Sequence, residues 1–225
     1  MRRLTGGAKT RIVVLRMFDV VCSLAGLILL APVFAWIALE ILWDDGSPVL
    51  FHQTRVGRNG RLFSIWKFRT MRTGIEGRAI TVAGDDRVTK MGGWLRKFKL
   101  DELPQLVNVL RGDMSLIGPR PEVPEYVQLD SPLWRDVLRV RPGITDAATL
   151  LHRNEEEMLR ASSDPNAYYR SSLLPAKLNL NLAYLRSRSF SLDLRLIFLT
   201  LLYSVYPKSF DRDRVRRVLG IGVEI

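Results

Sequence analysis

The sequence predicts an α+β protein, mostly helical, with an N-terminal re-entrant membrane helix broken at Pro32, a small β-hairpin and interfacial amphipathic helices. Three observations carry that prediction. Residues 20–39 run VVCSLAGLILLAPVFAWIAL without a charged side chain, and about 20 apolar residues are enough to cross a bilayer core. Two short runs rich in β-formers, residues 48–53 and 62–68, flank an Asn59-Gly60 pair, which is a strong tight-turn signal. Elsewhere apolar residues recur at helical spacing, as do Leu103, Leu106, Val107 and Leu110.

The apolar run starts too late and continues too long for a signal peptide, and no small-residue cleavage site follows it. Proline removes a backbone donor and clashes with the carbonyl four residues back, so a kink or break is expected at Pro32. Arg2, Arg3, Lys9, Arg11 and Arg16 precede the run, and Arg55, Arg58 and Arg61 follow it. Lysine and arginine bias a flank toward the cytoplasm. A helix that enters one leaflet, bends at Pro32 and returns satisfies both flanks, whereas a simple span satisfies one. The plain alternative is a buried core helix of a soluble protein, which the length of the uncharged run opposes.

The hairpin is expected to end in KFRTM (67–71). Residues 73–89, rich in Gly, Asp and Thr, read as a loop. A short basic helix follows near 91–98. In LDELPQLVNVLRGD (100–113), Asp101 suits an N-cap and Glu102 the first turn. Pro104 is tolerated where N–H groups lack helical partners, and Gly112 ends the helix. MSLIGPRPEVPEY (114–126) reads as irregular because of its prolines. A helix carrying Arg135, Arg139 and Arg141 is expected to stop before Pro142-Gly143. Another is expected over 149–161, bearing Glu155, Glu156 and Glu157. The apolar stretch 192–206 around Arg195 suits a core helix or one lying in the membrane interface.

The formal net charge is +11, and such a surplus requires anionic partners: nucleic acid, anionic lipid or a phosphorylated substrate. The one cysteine, Cys22, excludes an intrachain disulfide and multi-cysteine zinc sites. The sequence has no P-loop lysine motif, no G-x-G-x-x-G and no metal-ligating histidine pair; His52 and His152 are isolated. Against that background the Asp101-Glu102 pair stands out. A carboxylate at a helix N-terminus feels the positive end of the dipole and favours its ionised form, as a nucleophile or a Mg²⁺ ligand must. Lys67, Arg69, Arg96 and Arg120 can hold phosphate oxygens. On local pattern alone, the same acids are most simply a cap plus a dipole-friendly neighbour, and the cations a solvated or lipid-binding face.

KFRTM (67–71), LRKFKLDELPQLVNVLRGDMSLIGPRPE (95–122) and VRPGIT (140–145) resemble the bacterial sugar transferases, the monotopic polyprenyl-phosphate phosphoglycosyl transferases. So do RMFDVVCSLAGLILLAPVF (16–34), FHQTRVGRNGRLFSIWKFRTM (51–71) and YLRSRSFSLDLRLIFLT (184–200). The resemblance covers nearly the whole chain, which looks like the minimal catalytic form. It implies transfer of a sugar 1-phosphate from a UDP-sugar to polyprenyl phosphate, with release of UMP, as the opening step of surface glycan assembly. It implies Asp101 as nucleophile of a covalent phosphosugar intermediate, with ping-pong kinetics, Glu102 as its partner and Mg²⁺ near Asp101. Lys67, Arg69, Arg96, Arg120 and Arg141 are the expected substrate and phosphate ligands.

The resemblance also implies a division of the chain. Residues 1–45 would form the basic segment and re-entrant helix. Residues 46–225 would form a catalytic domain, with an interfacial C-terminal helix, on the cytoplasmic face of the bacterial inner membrane. The expected partners are the UDP-sugar donor, the polyprenyl phosphate acceptor and membrane lipid. Nucleic acid is not expected, since dispersed basic residues lack a recognition motif; a homodimer is compatible with the sequence. Two departures stand out. Ala31-Pro32 occupies a place where the family often has Ser-Pro. Asp146-Ala147-Ala148-Thr149 follows PGIT where Gly-Trp-Ala-Gln is common, which leaves the sugar undefined. The rival readings are a non-enzymatic membrane-anchored binder of anionic lipid or nucleic acid, and a scaffold with a degenerate site. The intact 95–122 block opposes degeneracy.

Overall fold

The computed structural model describes residues 6–74 and 81–220, with side chains from Val13 onward. Arg2 and Arg3, the side chains of Lys9 and Arg11, and residues 75–80 of the expected loop lie outside the described residues.

Two helices open the chain, α1 (Gly6–Leu29) and α2 (Ala31–Asp45). Among the described residues no single helix is long and apolar enough to cross a membrane, but this pair passes jointly, bent by 60°. The bend falls at Leu30 rather than at Pro32. Pro32 sits in the first turn of α2, where a missing N–H removes no bond the helix requires. The proline therefore starts a second helix instead of interrupting one. Ile37 and Ile41 of α2 pack inward with Phe68 and Leu95. Leu39 and Trp43, on the same helix, are 66% and 92% exposed.

Strands β1 (Leu50–Val56) and β2 (Leu62–Phe68) form the expected antiparallel hairpin, paired from Leu50↔Phe68 to Val56↔Leu62. Asn59 and Gly60 turn it with φ of 57° and 77°, a region that asparagine and glycine tolerate best. Helix α3 (Lys90–Phe98) is capped by Thr89, whose hydroxyl accepts from the Gly92 N–H at 2.9 Å. Gly92 lies hard against the end of the hairpin: a Cβ there would stand 2.1 Å from the Thr70 carbonyl oxygen.

Lys99 ends α3 in the left-handed conformation, and residues Leu100–Glu102 form a tight 3₁₀ turn. Helix α4 (Gln105–Arg111) begins only after it, with Pro104 at its N-cap position. Asp101 is thus not an N-cap, because the reversal at Lys99 and the proline at 104 split the expected helix into a turn and a shorter helix. Buried Asn108 locks α4 to the hairpin. Its side-chain amide donates to the Ser64 carbonyl at 2.8 Å and accepts from the Trp66 N–H at 3.0 Å, so it completes the bonding of β2 where a third strand would otherwise be needed.

The segment 114–126 is not wholly irregular. Strand β3 (Ser115–Ile117) pairs in parallel with β4 (Gly143–Thr145), and the prolines that barred regular structure begin only at Pro119. Helix α5 (Pro132–Val137) lies between these strands and ends before Arg139 and Arg141. The two strands approach so closely that a Cβ on Gly143 would lie 2.1 Å from the Gly118 nitrogen.

The expected helix at 149–161 is two, α6 (Ala147–Leu151) and α7 (Glu155–Arg160). The short α8 (Pro165–Tyr168) runs through a π-helical turn into α9 (Leu174–Ser187), and α10 (Phe190–Val205) and α11 (Arg212–Leu219) close the fold. One apolar core joins α6, α9, α10 and α11 around Leu151, Tyr184 and Leu196. A second gathers Trp134, Leu159, Tyr169 and Leu178. The architecture is mostly helical around a small antiparallel hairpin.

Candidate active site

Strand β2, the Leu100–Glu102 turn and the loop after β3 bring three charged groups to one place. The Glu102 carboxylate accepts from Lys67 Nζ at 3.2 Å through Oε1. Arg120 meets it in bidentate fashion, Nη1 to Oε2 at 2.9 Å and Nη2 to Oε1, the geometry in which a guanidinium binds a carboxylate most strongly. Arg120 is fixed in turn through its backbone: its N–H donates to Asp146 Oδ2 at 2.8 Å, while Asp146 Oδ1 caps α6. The tight Gly118–Gly143 approach sets the loop that carries Arg120 beside Asp146.

The two adjacent acids are in opposite electrostatic states. Burial disfavours charge on both. At Glu102 that penalty is outweighed by Arg120 and Lys67, which hold its carboxyl well below the usual range. At Asp101 burial pushes the carboxyl up, and the neighbouring Glu102 charge adds to it; Lys67, Lys99 and Arg96 oppose. Asp101 is 7% exposed, and its buried Oδ1 has no hydrogen-bond partner. The expectation that a helix dipole ionises Asp101 is therefore replaced: nearby lysines and Arg96 supply the positive field, and Glu102 works against it.

The other predicted residues divide. Arg96 is ion-paired with Glu156 on α7, and its charge is felt at Asp101. Arg69 is buried at the corner between α2 and β1, donating to the carbonyls of Asp45, Gly46 and Ser47. Arg141 Nε donates to the Gly112 carbonyl at 2.8 Å. Arg16 closes the same helix end, donating to Val109 O at 2.6 Å and Leu110 O at 2.9 Å. Arg69 and Arg141 thus serve backbone carbonyls, because free C=O groups at a chain corner and a helix C-terminus compete for their donors.

Sequence reasoning missed Lys99, although it stands two residues before Asp101 and its charge acts on both acids. It also missed a buried polar layer behind Arg120. Tyr169 donates to Glu122 Oε1 at 2.7 Å, and Lys177 Nζ lies 3.5 Å from Glu122 and 3.2 Å from Glu155. Arg55 reaches the Pro121 carbonyl at 3.2 Å. Nothing in the spacing of residues 55, 122, 155, 169 and 177 marks them as neighbours.

The site is thus a buried acid pair, one member held by fixed cations and the other without a hydrogen-bond partner at its buried oxygen among the described residues. The chain belongs to the bacterial sugar transferases, whose family model matches residues 10–206. It is 37% identical over 204 residues to the undecaprenyl-phosphate glucose phosphotransferase of Komagataeibacter xylinus, covering 86% of this chain and 36% of that protein. To the exopolysaccharide production protein PSS of Rhizobium leguminosarum bv. phaseoli it is 38% identical over 204 residues, covering 83% and 92%. To the UDP-glucose:undecaprenyl-phosphate glucose-1-phosphate transferase of Escherichia coli (strain K12) it is 35% identical over 188 residues, covering 81% and 38%. The chain therefore spans little more than a third of the first and third of these relatives, and most of the second.

Proposed function

We propose that this chain transfers a sugar 1-phosphate from a UDP-sugar to polyprenyl phosphate, giving polyprenyl diphosphate sugar and UMP. The observation that carries the reading is the asymmetry of the acid pair: both Glu102 oxygens are bound to cations, while Asp101 makes no salt bridge among the described residues. The names of the relatives support the same substrate classes.

An oxygen of ionised Asp101 attacks the phosphorus that bears the sugar. The bond from that phosphorus to the bridging oxygen breaks, and UMP leaves with the electron pair. The acceptor's phosphate oxygen then attacks the same phosphorus and releases Asp101 unchanged. Splitting the transfer in two avoids assembling a soluble donor and a lipid acceptor at once, and ping-pong kinetics follow. Lys67, Lys99, Arg96 and Arg120 would meet phosphate charge. Glu102 acts as a positioning residue that holds Lys67 and Arg120.

Mg²⁺ fits this site. It is commonly held by one or two carboxylates together with substrate phosphates and water, and the unpartnered Asp101 Oδ1 offers one such oxygen. When bound, the ion would neutralise diphosphate charge. The bent α1–α2 pair, with its exposed apolar side chains, reads as a re-entrant entry into the cytoplasmic leaflet of a bacterial inner membrane. Residues 1–45 would be the membrane part and 46–225 the catalytic part, with α10 at the interface.

The test incubates the protein with Mg²⁺, a polyprenyl phosphate and a panel of UDP-sugars, UDP-glucose first, and measures UMP. Donor alone should release up to one equivalent of UMP and leave the sugar phosphate on the protein. Asp101→Asn should abolish both; UMP release unchanged by that substitution would overturn the assignment.

A further inference from the structure

Helices α10 and α11 enclose a groove of about 330 Å³ that plays no part in the site above. Its walls are apolar, formed by Leu194, Phe198, Leu202 and Val218, and Arg195 and Arg214 stand among them. The apolar wall does not stop at the groove. Leu194, Phe198, Leu201 and Val205 follow one another at helical spacing along α10 and are 41%, 64%, 62% and 62% exposed. The opposite stripe of the same helix, Leu192, Leu196, Leu199 and Tyr203, is buried in the core. So α10 is apolar on two faces, and only one has a partner among the described residues.

The two arginines are available. Arg195 lends Nη1 to the Val218 carbonyl at 3.2 Å, and the rest of its guanidinium is uncommitted among the described residues. Arg214 donates no side-chain hydrogen bond among the described residues. The nearby acids are otherwise engaged: Asp213 lies 4.0 Å from Arg216, and Asp211 caps α11 through the N–H groups of Asp213 and Arg214.

We propose that the α10–α11 groove binds one anionic phospholipid, its phosphate between Arg195 and Arg214 and an acyl chain along Leu194, Phe198 and Leu202. Free phosphate would match the cations but not the apolar walls or the exposed stripe that continues them. A neutral lipid would match the walls but leave the cations without a counter-charge. Basic side chains at an anionic membrane surface each contribute about a fivefold gain in binding. The site rests on the membrane reading proposed above, not on the catalytic one, and lipid counts do not depend on turnover.

The full chain, purified in detergent and stripped of lipid, is titrated with phosphatidylglycerol or phosphatidylcholine, and bound lipid is counted by native mass spectrometry. One phosphatidylglycerol should bind at least about fivefold more tightly than phosphatidylcholine. Arg214→Gln, which breaks no side-chain bond among the described residues, should remove about fivefold of that preference, and Phe198→Ser should weaken both lipids. Arg139→Gln, at a 77% exposed side chain elsewhere, controls for loss of bulk charge and should change nothing. Equal binding of the two lipids, an equal loss in Arg139→Gln, or displacement of phosphatidylglycerol by inorganic phosphate alone would overturn the proposal.

Discussion

Arg120→Met removes the guanidinium that holds Glu102, and its cost follows from the geometry. Glu102 is 6% exposed. Among the described residues its Oε2 accepts only from Arg120 Nη1, whereas Oε1 also meets Lys67 at 3.2 Å. Removing one partner of a buried ion pair costs about 3–5 kcal/mol. Because Lys67 remains, the lower end applies, about 3 kcal/mol. In a chain of this size each kcal/mol moves the melting temperature by about 2–4 °C, so thermal unfolding in detergent should fall by about 6–12 °C. The loss has a pH signature. A carboxylate held below its ordinary pKa stabilises the fold above its unfolded pKa, and that stability disappears as pH falls through the folded value. The gap between wild type and Arg120→Met should therefore be full at neutral pH and close in strong acid. Adding Glu102→Gln removes the stranded charge while its amide oxygen can still accept from Lys67. The double variant should be more stable than the sum of the single losses, with a coupling of about 1–3 kcal/mol. Strict additivity, or a melting temperature unchanged by Arg120→Met, would refute the claim that Arg120 holds Glu102 ionised.

Burial and the Glu102 charge both raise Asp101, so Glu102→Gln should shift the acid limb of donor-dependent UMP release to lower pH even as the rate falls; a limb moved to higher pH would contradict the assignment. Gly143→Ala places a Cβ 2.1 Å from the Gly118 nitrogen and should prevent stable folding. Gly93→Ala in α3, whose Cβ would meet nothing nearer than 3.9 Å, should be neutral or stabilising by up to about 1 kcal/mol, as measured by thermal unfolding. Tyr169→Phe strips Glu122 of its 2.7 Å donor and should cost about 1–3 kcal/mol in denaturant melts, with a smaller effect on turnover than Asp101→Asn.

Local features were legible in the sequence wherever local chemistry decides them. The hairpin follows from β-rich runs around Asn59-Gly60, and α3 and α10 match the short basic helix near 91–98 and the apolar stretch 192–206. Features settled by long-range pairing were not. The β3–β4 pair joins residues about 28 apart in the chain through two glycines whose only signal is the absence of a side chain. Proline disrupts a helix interior, so the sequence predicts a break at Pro32; whether proline interrupts or begins a helix depends on where the preceding turn ends, here at Leu30. The arginines were the hardest. Arg69, Arg120 and Arg141 have the same chemistry, and only the fold decides that Arg69 meets the carbonyls and the Asp45 carboxylate at a chain corner, Arg141 a helix-end carbonyl, and Arg120 the Glu102 carboxylate.

The acid pair shows where such reading stops and what supplies the remainder. Adjacency places Asp101 and Glu102 together but ranks neither, and both would be equal at the start of a regular helix. The chain instead reverses at Lys99 and tightens into a 3₁₀ turn. Within that turn Glu102 meets Lys67 and Arg120, and Asp101 meets no donor at its buried oxygen. A carboxylate bound to three N–H groups is a poor nucleophile because attack must first break those bonds. A carboxylate without donors at its buried oxygen, raised in pKa by burial and Glu102 while Lys67, Lys99 and Arg96 oppose part of that rise, keeps its basicity. Under the proposed mechanism, the division of labour between the two adjacent acids follows from which one the surrounding cations bind.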